Sequence, residues 1–169
     1  MVTKTLKKKE VESRIMAGIL KVAKTLNDPE WVDWAIIKTE KNIKTMPELK
    51  PLQDKLLSLG GDWVALEPEC DLLAILNRGQ LFNGRVVFKK MAPHGCHRNC
   101  CEVWAERPRI YKIAIGWALS DDGIWRQHTW ITKGRAIIET TEPRSLYYGF
   151  EMEREEALRF WMGYNEARK

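Results

Sequence analysis

The sequence of 169 residues contains no long hydrophobic run. Its apolar stretches span only a few residues, as at positions 34–37, whereas a membrane-spanning helix needs about 20. The first residues do not show an apolar segment followed by a small-residue cleavage site, which is the pattern of a secretory signal. We therefore expect no membrane span and a cytoplasmic location, where cysteines stay reduced.

Internal repeats, low-complexity tracts and evident linkers are also missing from the sequence. Apolar residues make up 44% and charged residues 30% of the chain, a composition typical of globular proteins and not of disordered ones. The chain is long enough to form a hydrophobic core without disulfides or metals. We expect one compact domain, with an N-terminal helical part at 1–60 and a helix-plus-sheet core at 61–169.

Positive charge is concentrated at the N-terminus. The net charge is +5, of which residues 1–28 contribute +4, so the remainder of the chain has almost no excess of either sign. The body of the protein therefore lacks the charge pattern of a polyanion binder. We do not expect nucleic-acid binding, although the basic N-terminal helix leaves it open.

Apolar residues at three- and four-residue spacing predict helices in the first half of the chain. Asp28 and Pro29 suit the first positions of the second of these helices, and two glycines end the third. A short run of β-branched and aromatic residues at 85–89 predicts a strand. The predicted helices are 5–26, about 30–45, a short one after Pro51 that ends at Gly60-Gly61, and a helical turn at 71–77.

Three apolar runs separated by turn residues predict an antiparallel meander in the second half of the chain. We expect a helix at 97–106 before the meander, a strand at 145–150 after it and a C-terminal helix at 153–167. The predicted fold class is therefore α+β, in which N-terminal helices precede a cysteine-bearing helix packed on an antiparallel meander. The three runs are 110–119, 124–131 and 135–141.

The most informative feature is a cluster of three cysteines within six residues. Pro93 and Gly95 interrupt regular structure, so Cys96 falls at the N-terminus of the predicted helix. Free backbone N–H groups and the helix dipole favour a thiolate at that position. Cys100 lies one turn further along and is expected to face the core.

His128 is in the second strand of the predicted meander, where it could serve as the base for a cysteine nucleophile. If Lys133-Gly134 is a two-residue turn, Thr132 faces Arg135 and His128 lies directly opposite Glu139. A carboxylate in that position would fix the tautomer of the imidazole, as the third member of a catalytic triad does. The alternative is that Glu139 forms an ion pair with Arg126 or Arg135.

A cysteine that opens a helix, then a strand histidine and then an acid or amide on the next strand resembles papain-like folds, including NlpC/P60 hydrolases and transglutaminase-like proteins. Cys96, His128 and Glu139 occupy these three places, and the resemblance covers about residues 80–150. The string from Gly116 to Trp130, together with Glu139-Thr140-Thr141, also resembles an uncharacterised family of bacterial and phage proteins.

The papain-like resemblance implies a hydrolase or acyl transferase that acts on an amide, peptide or isopeptide bond without a cofactor. Cys96 would attack the carbonyl, His128 would move the proton and Glu139 would orient His128. An oxyanion hole would combine the Cys96 N–H with a side-chain amide. The candidates for that amide are Asn99, Gln80 and Asn83, and the tryptophans that could enclose the cleft are Trp117, Trp125 and Trp130.

Two other classes of protein fit the same residues. The first is a zinc site, because the cysteine cluster also contains two histidines. Its second ligand pair is missing unless His128 or Cys70 completes it. The second class is a non-enzymatic interaction protein that binds through its basic N-terminal helix; a redox-sensing thiol pair is a further possibility. The alternative zinc ligands are His94, Cys96, His97, Cys100 and Cys101.

Overall fold

The structure, a computed structural model, describes residues 13, 16–22, 24, 30–68 and 71–166. The chain divides into two compact units. One unit consists of residues 1–72 and 119–126, and the other of residues 73–118 and 127–169. The division after residue 60 that we expected from the sequence stays a prediction.

The first unit is mainly helical. Residues 16–22 are helical, α1 spans Glu30–Thr45 and α2 spans Leu49–Leu59. These segments lie where the sequence predicts helices, although most of the predicted 5–26 helix and the Asp28-Pro29 start lie outside the described residues. The hydrophobic core of this unit combines residues from both of its segments. Its buried residues are Ile19, Val22, Ala35 and Trp63 from the first segment and Ile124 from the second.

The second unit contains the remaining helices and most of the sheet. Its helices are α3 at Leu72–Arg78, which begins at the last residue of the first unit, α4 at Cys96–Glu106 and α5 at Arg154–Glu166. Helix α5 packs on α4 and buries Ala157. Among the described residues, no helix has the length and apolarity that crossing a bilayer requires.

A mixed sheet supports the site. Its strands follow the order β2-β7-β4-β5-β6-β3, and β1 pairs in parallel with the start of β5. Strands β4, β5 and β6 form the predicted meander, so the α+β class is confirmed. The strands are β1 at Trp63–Val64, β2 at Gln80–Phe82, β3 at Val86–Phe88, β4 at Lys112–Leu119, β5 at Ile124–Lys133, β6 at Ala136–Glu139 and β7 at Leu146–Glu151.

The sequence did not predict β1 or β2, nor the parallel pairing of β3 with β6. Both strands are only two or three residues long, too short to show the alternation by which strands are recognised. Parallel partners are also far apart in the sequence, so no local turn signal specifies them.

The predicted register of the β5–β6 hairpin was wrong by two residues. Lys133 pairs with Ala136 and Thr132 with Ile137, so the turn is Gly134-Arg135 and not Lys133-Gly134. Gly134 has φ 58°, and a glycine with positive φ at the first central position is typical of a type II′ turn. Because side chains alternate with a period of two, a two-residue shift leaves each side chain on its predicted face.

Candidate active site

Helix α4 begins at Cys96 and thereby positions the thiol. Gly95 is the N-cap, with φ −108° and ψ 33°, and the first backbone bond of the helix runs from the Asn99 N–H to the Gly95 carbonyl at 2.8 Å. One turn later Cys100 is fully buried, as predicted, and anchors the helix in the core. Cys96 itself is only partly buried, in contrast to Cys100.

His128 and Glu139 meet on one face of the sheet. The observed register places Glu139 across from Trp130, so His128 is its diagonal neighbour and not its direct partner. Diagonal neighbours lie within reach of long side chains. The predicted contact is confirmed, because His128 Nε2 lies 2.8 Å from Glu139 Oε2, and both side chains are almost completely buried.

Glu139 receives hydrogen bonds from several donors besides His128. The backbone N–H groups of Thr140 and Thr141 each donate to Oε1 at 2.8 Å, and the Thr141 hydroxyl donates to the same oxygen at 3.0 Å. The Tyr147 hydroxyl donates to Oε2 at 2.9 Å. A buried carboxylate needs such compensation, since an unpaired one is very costly. Glu139 is therefore held ionised and in one orientation.

The Cys96 thiol lies near two imidazoles. Its Sγ is 3.5 Å from His97 Nδ1, and His128 also lowers its pKa. Because Nε2 of His128 is bound to Glu139, Nδ1 is the ring nitrogen left to exchange a proton with the thiol. Burial alone would raise the pKa of Cys96, but the interactions with His128 and His97 outweigh it and lower the pKa to about 5.

The charges on the other two residues are complementary to this thiolate. Burial would lower the pKa of His128, yet its interactions with Cys96 and Glu139 raise that pKa to about 9. Burial would raise the pKa of Glu139, but its hydrogen bond to His128 and the charge on His128, followed by the Thr141 and Tyr147 donors, lower it to about 2. At neutral pH the three groups are therefore thiolate, imidazolium and carboxylate.

The other two described cysteines differ from Cys96 although they are on the same helix. Burial raises the pKa of Cys100 well above its ordinary value and that of Cys101 to about 12. The Cys100 thiol donates to the Thr129 carbonyl at 3.3 Å, a role in packing and not in reactivity. One thiol of the cluster is therefore activated and two are inert.

Aromatic rings enclose the buried pair. The Trp130 ring stacks against His128 with centroids 6.3 Å apart, and Tyr147 packs on both rings. Phe82 meets the Trp130 edge at 5.2 Å. These rings keep water away from the His128–Glu139 pair, which strengthens its electrostatic attraction. Trp130 packs on the His128 side of the pair and is fully buried, and its predicted place in the wall of a substrate cleft stays a prediction.

Other predicted residues lie elsewhere. Trp117 is on β4 next to Ala118, which packs with Trp130, so the strand alternation puts Trp117 on the opposite face. Trp125 belongs to the first unit and donates to the Gly60 carbonyl. Gln80 and Asn83 line a separate pocket with Thr132 and Glu151, a pocket to which none of the three proposed catalytic residues contributes.

Asn99 is close to the site but has a structural role. Its Nδ2 donates to the Ala92 carbonyl at 2.8 Å and approaches the Thr140 carbonyl at 3.5 Å. Its amide hydrogens therefore tie the start of α4 to neighbouring segments and do not point to an oxyanion. The structure therefore gives no geometric support for Asn99, Gln80 or Asn83 as the side-chain amide of an oxyanion hole. Of the two predicted oxyanion donors, only the Cys96 backbone N–H keeps its place in the proposal.

The alternatives for the cysteine cluster and for Glu139 have little structural basis. Among the described residues, no group of three or more His, Cys, Asp or Glu side chains could hold a metal ion, and Cys70 lies outside that part of the chain. His94, at φ 57°, precedes the helix in a turn. Arg126 pairs with Asp122 and not with Glu139.

Sequence reasoning missed three contributors to the site, which are Tyr147, His97 as a thiol contact, and the Thr140-Thr141 amides. Tyr147 lies on a predicted strand, but only the strand order, which brings β7 beside β4, shows that it faces Glu139. The string Glu139-Thr140-Thr141 was visible in the sequence, and a threonine pair after a strand is a recognisable source of turn N–H donors.

Comparison with protein-family models, with curated proteins and with solved structures gives no match. The argument for function therefore depends on the arrangement of Cys96, His128 and Glu139.

Proposed function

We propose that the chain is a papain-like cysteine hydrolase or acyl transferase that acts on an amide, peptide or isopeptide bond. The observation that carries the proposal is the His128 Nε2–Glu139 Oε2 contact at 2.8 Å, with Cys96 close enough to His128 for each to shift the other's pKa. A nucleophile near a base, and a base held by an orienting acid, is the arrangement that covalent catalysis requires. All three residues belong to the same compact unit.

In the first step the Cys96 thiolate attacks the carbonyl carbon of the substrate. The developing oxyanion accepts a hydrogen bond from the Cys96 N–H, because the first N–H of a helix has no intrahelical acceptor. The tetrahedral intermediate collapses as the C–N bond breaks, and His128 gives its Nδ1 proton to the leaving nitrogen. The products of this step are a free amine and a thioester on Cys96.

In the second step water, or an acceptor amine in the case of a transferase, attacks the thioester. His128 takes the proton of the attacking group at Nδ1, and the thiolate leaves. Glu139 accepts the His128 Nε2–H throughout and stays ionised, since its pKa is about 2. The imidazole is therefore held in the one tautomer that can exchange a proton with sulphur.

The substrate class that fits this chemistry is a protein or a peptide-like amide. A catalytic thiolate next to two further free cysteines needs a reducing compartment, and we therefore place the activity in the cytoplasm. No described cluster of ligands favours zinc as a second candidate function.

The test is acylation by p-nitrophenyl acetate, an activated ester that does not depend on substrate recognition. We expect a rapid release of p-nitrophenolate and one acetyl group on Cys96, located by mass spectrometry of peptides. Cys96→Ala should lose both signals. The matched control is Cys101→Ala, which removes a buried thiol of the same helix and should react like the wild type. The proposal fails if Cys96→Ala releases p-nitrophenolate as fast as the wild type.

A further inference from the structure

Strand β3 ends the sheet and is unusually apolar for an edge. It pairs with β6 on one side, and no other strand in the described part of the chain pairs with its outer side. Its three residues, Val86, Val87 and Phe88, are 40%, 41% and 45% exposed. Proteins usually shield such an edge, because its free backbone groups and apolar side chains invite another strand.

The hydrogen bonds show which backbone groups face outward. The Ile137 N–H donates to the Arg85 carbonyl, and the Lys89 N–H donates to the Glu139 carbonyl. In a parallel pair, alternate residues direct both backbone groups to the same neighbour. Residues 85, 87 and 89 therefore face β6, and Val86 and Phe88 direct their N–H and C=O groups away from the sheet.

This edge leads to the proposed catalytic residues. Phe88 pairs with Glu139, and parallel partners place their side chains on the same face of a sheet. The exposed side chains of Val86 and Phe88 are thus on the face that carries His128 and Glu139. The Met91 N–H continues the pairing to the Thr140 carbonyl, and Cys96 follows five residues later.

The charge around the edge is positive. Arg85 and Lys90 flank β3, are exposed, and form no ion pair with any residue that the structure describes. Lys89 is also exposed, although Glu106 pairs with it at 2.9 Å. An incoming strand with acidic side chains would match these cations, whereas a basic strand would be repelled.

We propose that the outer edge of β3 is the docking surface for the polypeptide substrate, which adds to the sheet as an extended strand with acidic side chains. That the bound strand is a substrate rests on the function proposed above. The backbone of Val86 and Phe88 supplies the hydrogen bonds, their side chains supply the apolar contact, and Arg85 and Lys90 select for acidic residues. Strand addition of this kind obtains affinity from backbone bonds and specificity from side chains.

The test measures binding of a fluorescein-labelled Asp-Val-Asp-Val-Asp-Val-Asp peptide to the full chain carrying Cys96→Ala, by fluorescence anisotropy. This variant cannot acylate, so binding is measured separately from chemistry. We expect saturable binding that weakens as salt is raised. The same peptide with every internal peptide nitrogen methylated should bind at least ten times more weakly, because it cannot donate to the strand edge. Equal binding of the methylated peptide would overturn strand addition.

Two substitutions at Val86 separate its backbone from its side chain. Val86→Pro removes an outward N–H, a change that edge strands tolerate, and should weaken binding about tenfold. Val86→Thr keeps the N–H and the β-branched shape, and should bind within about twofold of the parent. Urea unfolding of both variants verifies that they are folded. If a folded Val86→Pro binds as tightly as the parent, the edge of β3 is not the docking surface.

Charge reversal tests the acidic preference. Lys90→Glu should weaken binding of the acidic peptide by about fivefold to tenfold at low salt, and the difference should shrink at high salt. A lysine-valine peptide that binds the parent equally well would refute the preference for acidic strands. The two proposals fail separately: absent acylation with normal peptide binding overturns the hydrolase, and normal acylation without peptide binding overturns the docking surface.

Discussion

The pH dependence of Cys96 reactivity is the most direct measure of the proposed ion pair. The pKa of Cys96 is lowered from an ordinary 9.0 to about 5, because its interactions with His128 and His97 outweigh burial. The rate of reaction with 4,4′-dithiodipyridine, a neutral disulfide, should therefore rise with a midpoint near pH 5. The rate should then stay level until His128 deprotonates at a pH of about 9.

The size of the effect follows from two opposing factors. At pH 6 a thiol of pKa 5 is about 90% ionised and a thiol of pKa 9 about 0.1% ionised, roughly a 900-fold difference. Each thiolate is less nucleophilic when its pKa is lower, and a Brønsted slope of about 0.45 over four pKa units reduces the rate roughly 60-fold. Cys96 should therefore react roughly 15 times faster at pH 6 than an unperturbed thiol.

Two variants decide whether His128 causes the lowered pKa of Cys96 and whether Cys96 is the thiol that reacts. His128→Gln keeps a hydrogen-bond donor for Glu139 but cannot become a cation, so the midpoint for Cys96 should move from about pH 5 toward or above pH 9. Cys96→Ser should abolish the fast reaction, since Cys100 and Cys101 are buried and have raised pKa values. A midpoint near 9 in the wild type, or one that does not move in His128→Gln, would refute the reasoning.

Three further predictions concern the network behind His128. Glu139→Gln should raise the pKa of Cys96, measured by the same disulfide assay, and an unchanged pKa would exclude an orienting role. Tyr147→Phe removes one donor to Glu139 and should lower the free energy of unfolding by about 1–3 kcal/mol in urea titrations, with no loss expected if that hydroxyl is unimportant. In the wild type, the stability due to the lowered pKa of Glu139 should be lost as pH falls from 4.5 through about 2. Glu139→Gln should flatten this acid slope, and a slope equal to that of the wild type would count against the pair.

Much of the local structure could be predicted because its signals lie close together in the sequence. Pro93 and Gly95 mark the start of α4, where Cys96 is partly buried, and Cys100 and Cys101, one turn later, are buried. The β5–β6 hairpin follows from a glycine turn between two apolar runs. Its register was wrong, yet the face of His128 was right, because an even shift preserves strand alternation.

The remainder depends on contacts between distant segments. The parallel pairing of β3 with β6, and the position of β7 beside β4, have no turn that could reveal them. The Tyr147 hydroxyl reaches Glu139 only because of that strand order. Asn99 shows the opposite limitation: its residue type suits an oxyanion hole, but the nearby Ala92 carbonyl occupies its amide. Residue type and spacing therefore suggested the chemistry, and long-range packing decided which groups are free to perform it.

The arrangement explains how a residue that does not contact sulphur can control its ionisation. A buried imidazolium is unfavourable by itself, since burial lowers the pKa of His128. Glu139 offsets that penalty because it is ionised, and two backbone N–H groups and two hydroxyls help to hold it so. The cation that results is what stabilises the Cys96 thiolate. Reactivity at the start of α4 therefore depends on the Thr140-Thr141 turn at the end of β6, and loosening that turn should raise the pKa of Cys96 although the thiol itself is unchanged.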